Sequence, residues 1–71
     1  MMYDFESSYN KLREIAGLNF VSFQMLDNLA LSDEDLRDFL RELEMKGYLS
    51  NPQHSQDREG RKYPSVFRLK A

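Results

Sequence analysis

An α+β domain, with three helices followed by a C-terminal β-hairpin, is the fold that this sequence predicts. Up to residue 46 the apolar residues recur at steps of three and four, the period of an amphipathic helix. After Gly47 they recur at steps of two, the period of a strand. The chain has 71 residues and no cysteine, so we expect one domain, residues 1–71, held by an apolar core without disulfides.

The first helix is predicted over about residues 4–16. Its apolar face follows helical spacing and consists of Phe5, Tyr9, Leu12, Ile15 and Ala16. Asp4 is the expected N-cap, because its carboxylate can accept a hydrogen bond from a free backbone N–H of the first turn. Gly17 is the expected stop.

A short apolar stretch, "LNFVS", separates this helix from the next. It predicts either a brief strand or a loop that buries Phe20. The second helix is predicted over about residues 22–30, with Ser22 as its N-cap. Its apolar face is formed by Phe23, Leu26, Leu29 and Ala30.

The third helix, about residues 33–46, has the strongest signals in the sequence. Ser32 and Asp35 have the spacing of a capping box, and the three acids of the first turn favour the positive end of the helix dipole. Gly47 is expected to end the helix. The buried positions are predicted to be Leu36, Phe39, Leu40 and Leu43.

A β-hairpin is predicted over about residues 48–70. In its second arm Tyr63, Ser65, Phe67 and Leu69 alternate with the residues between them. Pro52 and Pro64 cannot donate to a strand ladder and therefore indicate edge strands or strand starts. The first arm is expected to be irregular, and the polar "QDREGR" stretch is expected to form a charged tip.

Residues 26–49, "LDNLALSDEDLRDFLRELEMKGYL", resemble the core of a winged helix-turn-helix DNA-binding domain of the small transcriptional-regulator type. The likeness lies in the Leu-x-x-Leu-Ala end of the second helix, the leucine spacing of the third helix and the "LEMKGYL" exit into a basic hairpin. It implies double-stranded DNA as the partner, with the third helix in the major groove and the hairpin along the phosphate backbone.

The charge distribution agrees with a role for the hairpin. The net charge of −2 combines −1 over residues 1–26, −4 over residues 27–46 and +3 over residues 47–71. Arginine can bind guanine edges or phosphates, and lysine binds phosphates. The candidate nucleic-acid-binding residues are therefore Arg37 and Arg41 of the third helix, Arg58, Arg61 and Lys62 of the tip, and Arg68 of the returning strand.

The acidic third helix supports a second hypothesis, a protein-interaction module with a basic partner. Its candidate partner face is formed by Asp33, Glu34, Asp38 and Glu42. Acids can also neutralise the helix's own bases, through the pairs Asp33–Arg37, Asp38–Arg41 and Glu42–Lys46. The "GLNF" stretch before the second helix is similar to the protein-binding winged helix of a eukaryotic single-strand-binding complex.

Several other functions are not expected. We predict no enzyme, cofactor or metal site, because the chain has no nucleophile motif or phosphate-binding glycine loop and one histidine, His54, expected in a surface loop. No apolar run approaches the roughly 20 residues of a membrane span, and a cytoplasmic protein is expected. The apolar start, Met1, Met2, Tyr3 and Phe5, predicts either a homodimer contact or closure of the chain's own core.

Overall fold

Three helices and a two-stranded antiparallel hairpin follow one another along the chain. The structure is a computed structural model and describes residues 3–71. Helix α1 spans Phe5–Ala16, a 3₁₀ helix spans Phe23–Leu29, and helix α2 spans Asp33–Met45. Strands β1, Leu49–Gln56, and β2, Lys62–Leu69, form the hairpin. The predicted α+β order of three helices and a hairpin is confirmed.

Helix α1 begins and ends as its sequence predicts. The Asp4 side chain accepts a hydrogen bond from the backbone N–H of Glu6 at 3.1 Å. Gly17 closes the helix with a φ of 58°, and its N–H donates to the Arg13 carbonyl at 2.8 Å. Both ends of the helix thus satisfy backbone groups that have no partner within it.

The second predicted helix is a 3₁₀ helix, one residue shorter at each end than expected. Ser22 occupies the N-cap position without making a side-chain capping bond, and Ala30 ends the segment in the left-handed conformation. Such short segments tighten to the three-residue hydrogen-bond pattern, as the bond from the Met25 N–H to the Ser22 carbonyl shows. Leu26 and Leu29 are buried, whereas Phe23 stays exposed.

Helix α2 is the third predicted helix, and its local signals work as expected. Ser32 Oγ accepts the backbone N–H of Asp35 at 3.2 Å. At the other end Gly47 has a φ of 80° and donates to the Glu44 carbonyl, while the Tyr48 N–H donates to the Leu43 carbonyl. These two bonds form a Schellman motif, which turns the chain from α2 into β1.

The hairpin register contains two irregularities. Three steps along β1, from Ser50 to Gln53, face two steps along β2, so that β1 carries an extra residue where Asn51 has a φ of 53°. At the next pair β1 advances by one residue, from Gln53 to His54, while β2 advances by two, from Val66 to Pro64. Ser65 is therefore an extra residue of β2. The predicted alternation of buried and exposed residues therefore holds for Phe67 and Leu69. It is wrong on the other side of Ser65, where Pro64 is buried and Tyr63 is only partly buried.

The core lies between α1, α2 and the inner face of the hairpin. It also receives Val21, whose backbone exchanges hydrogen bonds with Phe67 at 2.7 and 3.2 Å. Of the two alternatives for this stretch, the loop that buries Phe20 is wrong, because Val21 takes the inward position beside β2 and Phe20 is exposed. The fully or nearly fully buried apolar residues are Leu12, Ala16, Val21, Leu26, Leu29, Leu36, Phe39, Leu40, Leu43, Leu49, Phe67 and Leu69.

The aromatic residues at the start of the chain close this core. The Phe5 ring lies 5.5 Å from the Phe39 ring and 6.1 Å from the Tyr48 ring, centre to centre. Tyr3 meets the Phe39 ring edge-on and donates its hydroxyl to Glu42 at 2.6 Å. Tyr3 and Phe5 thus pack against their own chain. Met1 and Met2, the rest of the predicted dimer segment, lie outside the described residues.

Candidate nucleic-acid interface

The hairpin tip is built around one carboxylate, that of Asp57. Its Oδ1 accepts the backbone N–H groups of Glu59 and Arg61, both at 2.9 Å. Its own N–H donates to the Arg61 carbonyl, and Gly60 completes the turn with a φ of 81°. Because Asp57 provides these acceptors, the tip has a defined hydrogen-bonded shape. This role of Asp57 is not predicted from the sequence.

Arg41 of α2 attaches this tip to the helix. Its Nε donates to the Lys62 carbonyl at 3.0 Å, and its two terminal nitrogens reach Asp38 Oδ1 at 3.0 Å and Asp57 Oδ2 at 2.8 Å. The Arg41 side chain is only 22% exposed. Its guanidinium is therefore engaged within the chain on all three nitrogens, and it fixes the distance between α2 and the tip.

The surroundings of Asp57 favour its charged form. Its side chain is only 5% exposed, and this burial works against ionisation. The backbone N–H groups of Arg61 and Glu59 oppose that effect, together with the Arg61 charge and the hydrogen bond from Arg41. The hydrogen bonds and the Arg61 charge together outweigh the effect of burial and hold the pKa of Asp57 below its ordinary value of 3.8. Asp57 thus stays ionised, and its charge is offset by Arg41 and Arg61, which also pair with Asp38 and Glu59.

Four of the six predicted binding residues form no ion pair within residues 3–71, and three of these four, Arg37, Arg58 and Lys62, lie at or near the tip; the fourth is Arg68. The expected Asp33–Arg37 pair does not form, whereas the Asp38–Arg41 and Glu42–Lys46 pairs do, at 3.0 and 3.5 Å. Arg61 is 3.4 Å from Asp57 and 3.5 Å from Glu59, so its charge is partly balanced.

A groove between α2 and the tip brings some of these residues together. Arg37 comes from the helix and Arg58 from the tip, and acids from both elements share the groove with them. It is lined by Asp33, Arg37, Gln56, Asp57, Arg58, Glu59 and Tyr63. The groove therefore offers two unpaired guanidinium groups beside an acid, Asp57, whose charge is already balanced.

Arg68 lies apart from this group. It is six residues along β2 from Lys62, which at about 3.3 Å per residue is roughly 20 Å. Its guanidinium carbon sits 4.2 Å from the centre of the Phe20 ring. The six predicted nucleic-acid-binding residues thus occupy two places, with five at the tip and on the neighbouring part of α2, and Arg68 at the far end of the hairpin.

The acids of the predicted partner face have different environments. Asp33 and Glu34 are exposed, Asp38 bonds to Arg41, and Glu42 accepts from Tyr3 and pairs with Lys46. Burial, with the hydrogen bond and charge of Glu42, raises the pKa of the Tyr3 hydroxyl. A second groove on this side is lined by Tyr3, Asp38, Glu42, Met45 and Lys46. The Met45 side chain there is 84% exposed.

His54 lies in β1 and not in a surface loop as predicted. Its Nε2 is 2.6 Å from Glu44 Oε2, which ties the middle of the strand to α2. Within residues 3–71 no group of three His, Asp or Glu side chains is arranged to hold a metal ion. In the same range, none of the helices combines the length and apolar character needed to cross a membrane.

Comparisons with models of protein families, with curated proteins and with solved structures find no match to this chain.

Proposed function

We propose that this protein binds double-stranded DNA as a small winged-helix protein, in the role of a transcriptional or accessory regulator. The hairpin tip would contact the phosphate backbone through Arg58 and Lys62, while Arg61, which pairs with Asp57 and Glu59, would contribute less. Arg37 would be the one residue of α2 that reaches toward a base edge or a neighbouring phosphate. Arg41 would be a positioning residue, because its guanidinium is engaged by Asp38, Asp57 and the Lys62 carbonyl.

The order and packing of the elements support this proposal. Helix α2 follows a short helix and leads through a Schellman turn into an antiparallel hairpin. The hairpin then returns alongside α2, where Arg41 holds its tip. In a winged helix the corresponding helix and hairpin contact neighbouring parts of one duplex. The arrangement in this chain would place Arg37 and Arg58 on the same side.

The observation that carries the proposal is the pairing of the Asp57 carboxylate with two arginines of the same chain. Arg41 and Arg61 both lie within 3.4 Å of its Oδ2 atom, and its Oδ1 atom accepts two backbone N–H groups. The acid at the centre of the tip is therefore balanced, while Arg58, Lys62 and Arg37 keep their positive charge. Phosphate binding depends on such cations, because each neutralised phosphate releases counterions.

The acids around the groove set an upper limit on this binding. Asp33 and Glu59 line the same groove as Arg37 and Arg58, and both would repel a phosphate placed there. We therefore expect weak to moderate affinity carried mostly by the tip, with little base reading by α2.

The proposal is tested with fluorescence anisotropy on a short mixed-sequence DNA duplex at low salt. We expect the unaltered protein to bind, and the charge-reversed variant with Arg58→Glu and Lys62→Glu to lose binding. Lys11→Glu is the control, because Lys11 is an exposed lysine of α1 in a different groove. If the unaltered protein does not bind, or if Lys11→Glu abolishes binding to the same extent, the proposal is wrong.

A second candidate function, protein binding, rests on the exposed Met45. An 84%-exposed methionine beside Asp38 and Glu42 combines an apolar contact with negative charge. This chemistry suits a basic amphipathic helix of a partner protein. Nuclease-treated lysate of the native host would be passed over the immobilised protein and its Met45→Glu variant. A stoichiometric partner held by the first and not by the second would support protein binding, and equal retention would exclude this surface.

A further inference from the structure

A second exposed surface lies on the side of β2 that faces away from β1. Phe20 and Phe23 are exposed although they are large aromatic residues, and the Phe20 side chain is 51% accessible. We propose that Phe20, Phe23 and Arg68, here called the stacking surface, bind the unpaired bases of single-stranded nucleic acid. This site lies beyond the duplex-binding tip and does not depend on it.

The backbone bridge at Val21 explains why Phe20 points outward. Val21 exchanges both hydrogen bonds with Phe67 and is completely buried. Successive side chains in an extended segment point to opposite sides, so the residue before Val21 must face solvent. Phe20 is therefore held outward by the core packing of its neighbour. Because the backbone beside Phe20 is hydrogen-bonded, only the side-chain torsions of Phe20 remain to be ordered when a base stacks on its ring.

Arg68 stands against the Phe20 ring at 4.2 Å, within the range of a cation–π contact. Within residues 3–71 it takes part in no ion pair, so its charge remains available to a ligand. An aromatic ring for the base and an arginine for the phosphate are the two components of sequence-tolerant single-strand binding.

Phe23 extends the stacking surface toward the tip. Its ring lies 6.0 Å from the Tyr63 ring at an angle of 53°. Tyr63 also lines the groove that contains Arg37 and Arg58. Two ring-containing pairs, Arg68 with Phe20 and Tyr63 with Phe23, therefore lie at separate positions along β2, and the second pair is next to the tip. A flexible strand can contact both pairs, because each base requires a ring and each phosphate a cation.

The charge of this surface favours a nucleic acid over a second copy of the chain. In a twofold dimer the same patch meets itself, so the interface would enclose two Arg68 guanidinium groups. Within residues 3–71 no acid is paired with Arg68 to offset these two charges, and like charges in an interface oppose association. A single-stranded nucleic acid offers bases that can stack on the rings and phosphates that can pair with Arg68.

The test measures binding of labelled oligothymidine and oligouridine, each about 15 nucleotides long, by fluorescence anisotropy at low salt. Phe20→Leu keeps an apolar side chain but removes the ring. Loss of one base stack should weaken binding by roughly 5- to 150-fold. Phe20→Trp should retain binding, and its tryptophan emission should be quenched when the oligonucleotide is added. The oligothymidine and oligouridine arms distinguish DNA from RNA as the source of the bases.

Leu18→Ala is the matched control, because Leu18 is exposed in the same segment but has no ring. We expect its affinity to stay within about twofold of the unaltered protein, since no stacking contact is lost. The proposal is overturned if neither oligonucleotide binds, or if Phe20→Leu binds as the unaltered protein does. It is also overturned if Leu18→Ala weakens binding as much as Phe20→Leu, or if sedimentation shows a dimer that Phe20→Leu dissociates.

Parallel titrations with a blunt duplex separate this inference from the proposed function. Binding of oligothymidine without binding of the duplex, with the loss in Phe20→Leu, supports the stacking surface and removes the duplex proposal. If the duplex binds and Phe20→Leu leaves the affinity for the oligonucleotide unchanged, the duplex proposal is supported and the stacking surface is excluded.

Discussion

Removing single charges from the hairpin tip should change the salt dependence of DNA binding by a calculable amount. Within residues 3–71, Arg37, Arg58 and Lys62 are the tip-side cations without an acidic partner. Each phosphate contact contributes about −0.9 to the slope of log affinity against log salt, so three contacts give about −2.7. Affinity should then fall roughly 40-fold between about 50 and 200 mM salt. With Arg58→Ala and Lys62→Ala combined, the slope becomes about −0.9 and the fall about 3.5-fold.

The assay is an anisotropy titration of a mixed-sequence duplex at several salt concentrations. Lys62→Ala alone should reduce the steepness of the slope by about 0.9 unit. Lys11→Ala removes the same charge from the outer side of α1 and should leave the slope unchanged. The reasoning is refuted if the slope of the double variant equals that of the unaltered protein, or if Lys11→Ala changes it as Lys62→Ala does.

Three further predictions concern the backbone and the tip, and chemical denaturation measures all of them. Gly47→Ala should cost about 1–2 kcal/mol, because φ is 80° there although an added Cβ would meet nothing within 4 Å; an unchanged unfolding midpoint would contradict this. Ala30→Gly should stabilise the protein by up to about 1 kcal/mol, since Ala30 has a φ of 56°, and a loss of stability would show that the entropy of glycine dominates. Asp57→Asn should be destabilising at neutral pH. Its difference from the unaltered protein should shrink as pH falls through 3.8 and below, because the lowered pKa makes the charged form stabilising only above that range. A difference independent of pH would exclude the carboxylate charge as the cause.

The parts of the fold that local chemistry determines could be predicted from the sequence. The limits of α2 depend on the Ser32 cap and the Gly47 turn, and both act within a few residues of themselves. The irregularity at Ser65 could not be predicted, because it depends on which residue of β1 lies opposite. For a similar reason the sequence left open whether Phe20 is buried. Its apolar character is visible in the sequence, but the bridge between Val21 and Phe67 spans 46 residues.

The two arginines of α2 show where sequence periodicity stops being informative about function. Arg37 and Arg41 are one helical turn apart, about 6 Å along the axis, so their spacing assigns them to the same face. Their surroundings differ because the hairpin returns alongside the helix and brings Asp57, 16 residues further along the chain, to Arg41. Arg41 then has three partners within the chain, while Arg37 lines the same groove as Asp57 but forms no ion pair within residues 3–71. Because Asp57 binds Arg41, that arginine holds the hairpin, whereas Arg37 is the one proposed to contact a ligand. Because the same carboxylate also shapes the tip through two backbone N–H groups, changes at Asp57 should affect the position of Arg58 and Lys62 as well as the stability of the hairpin.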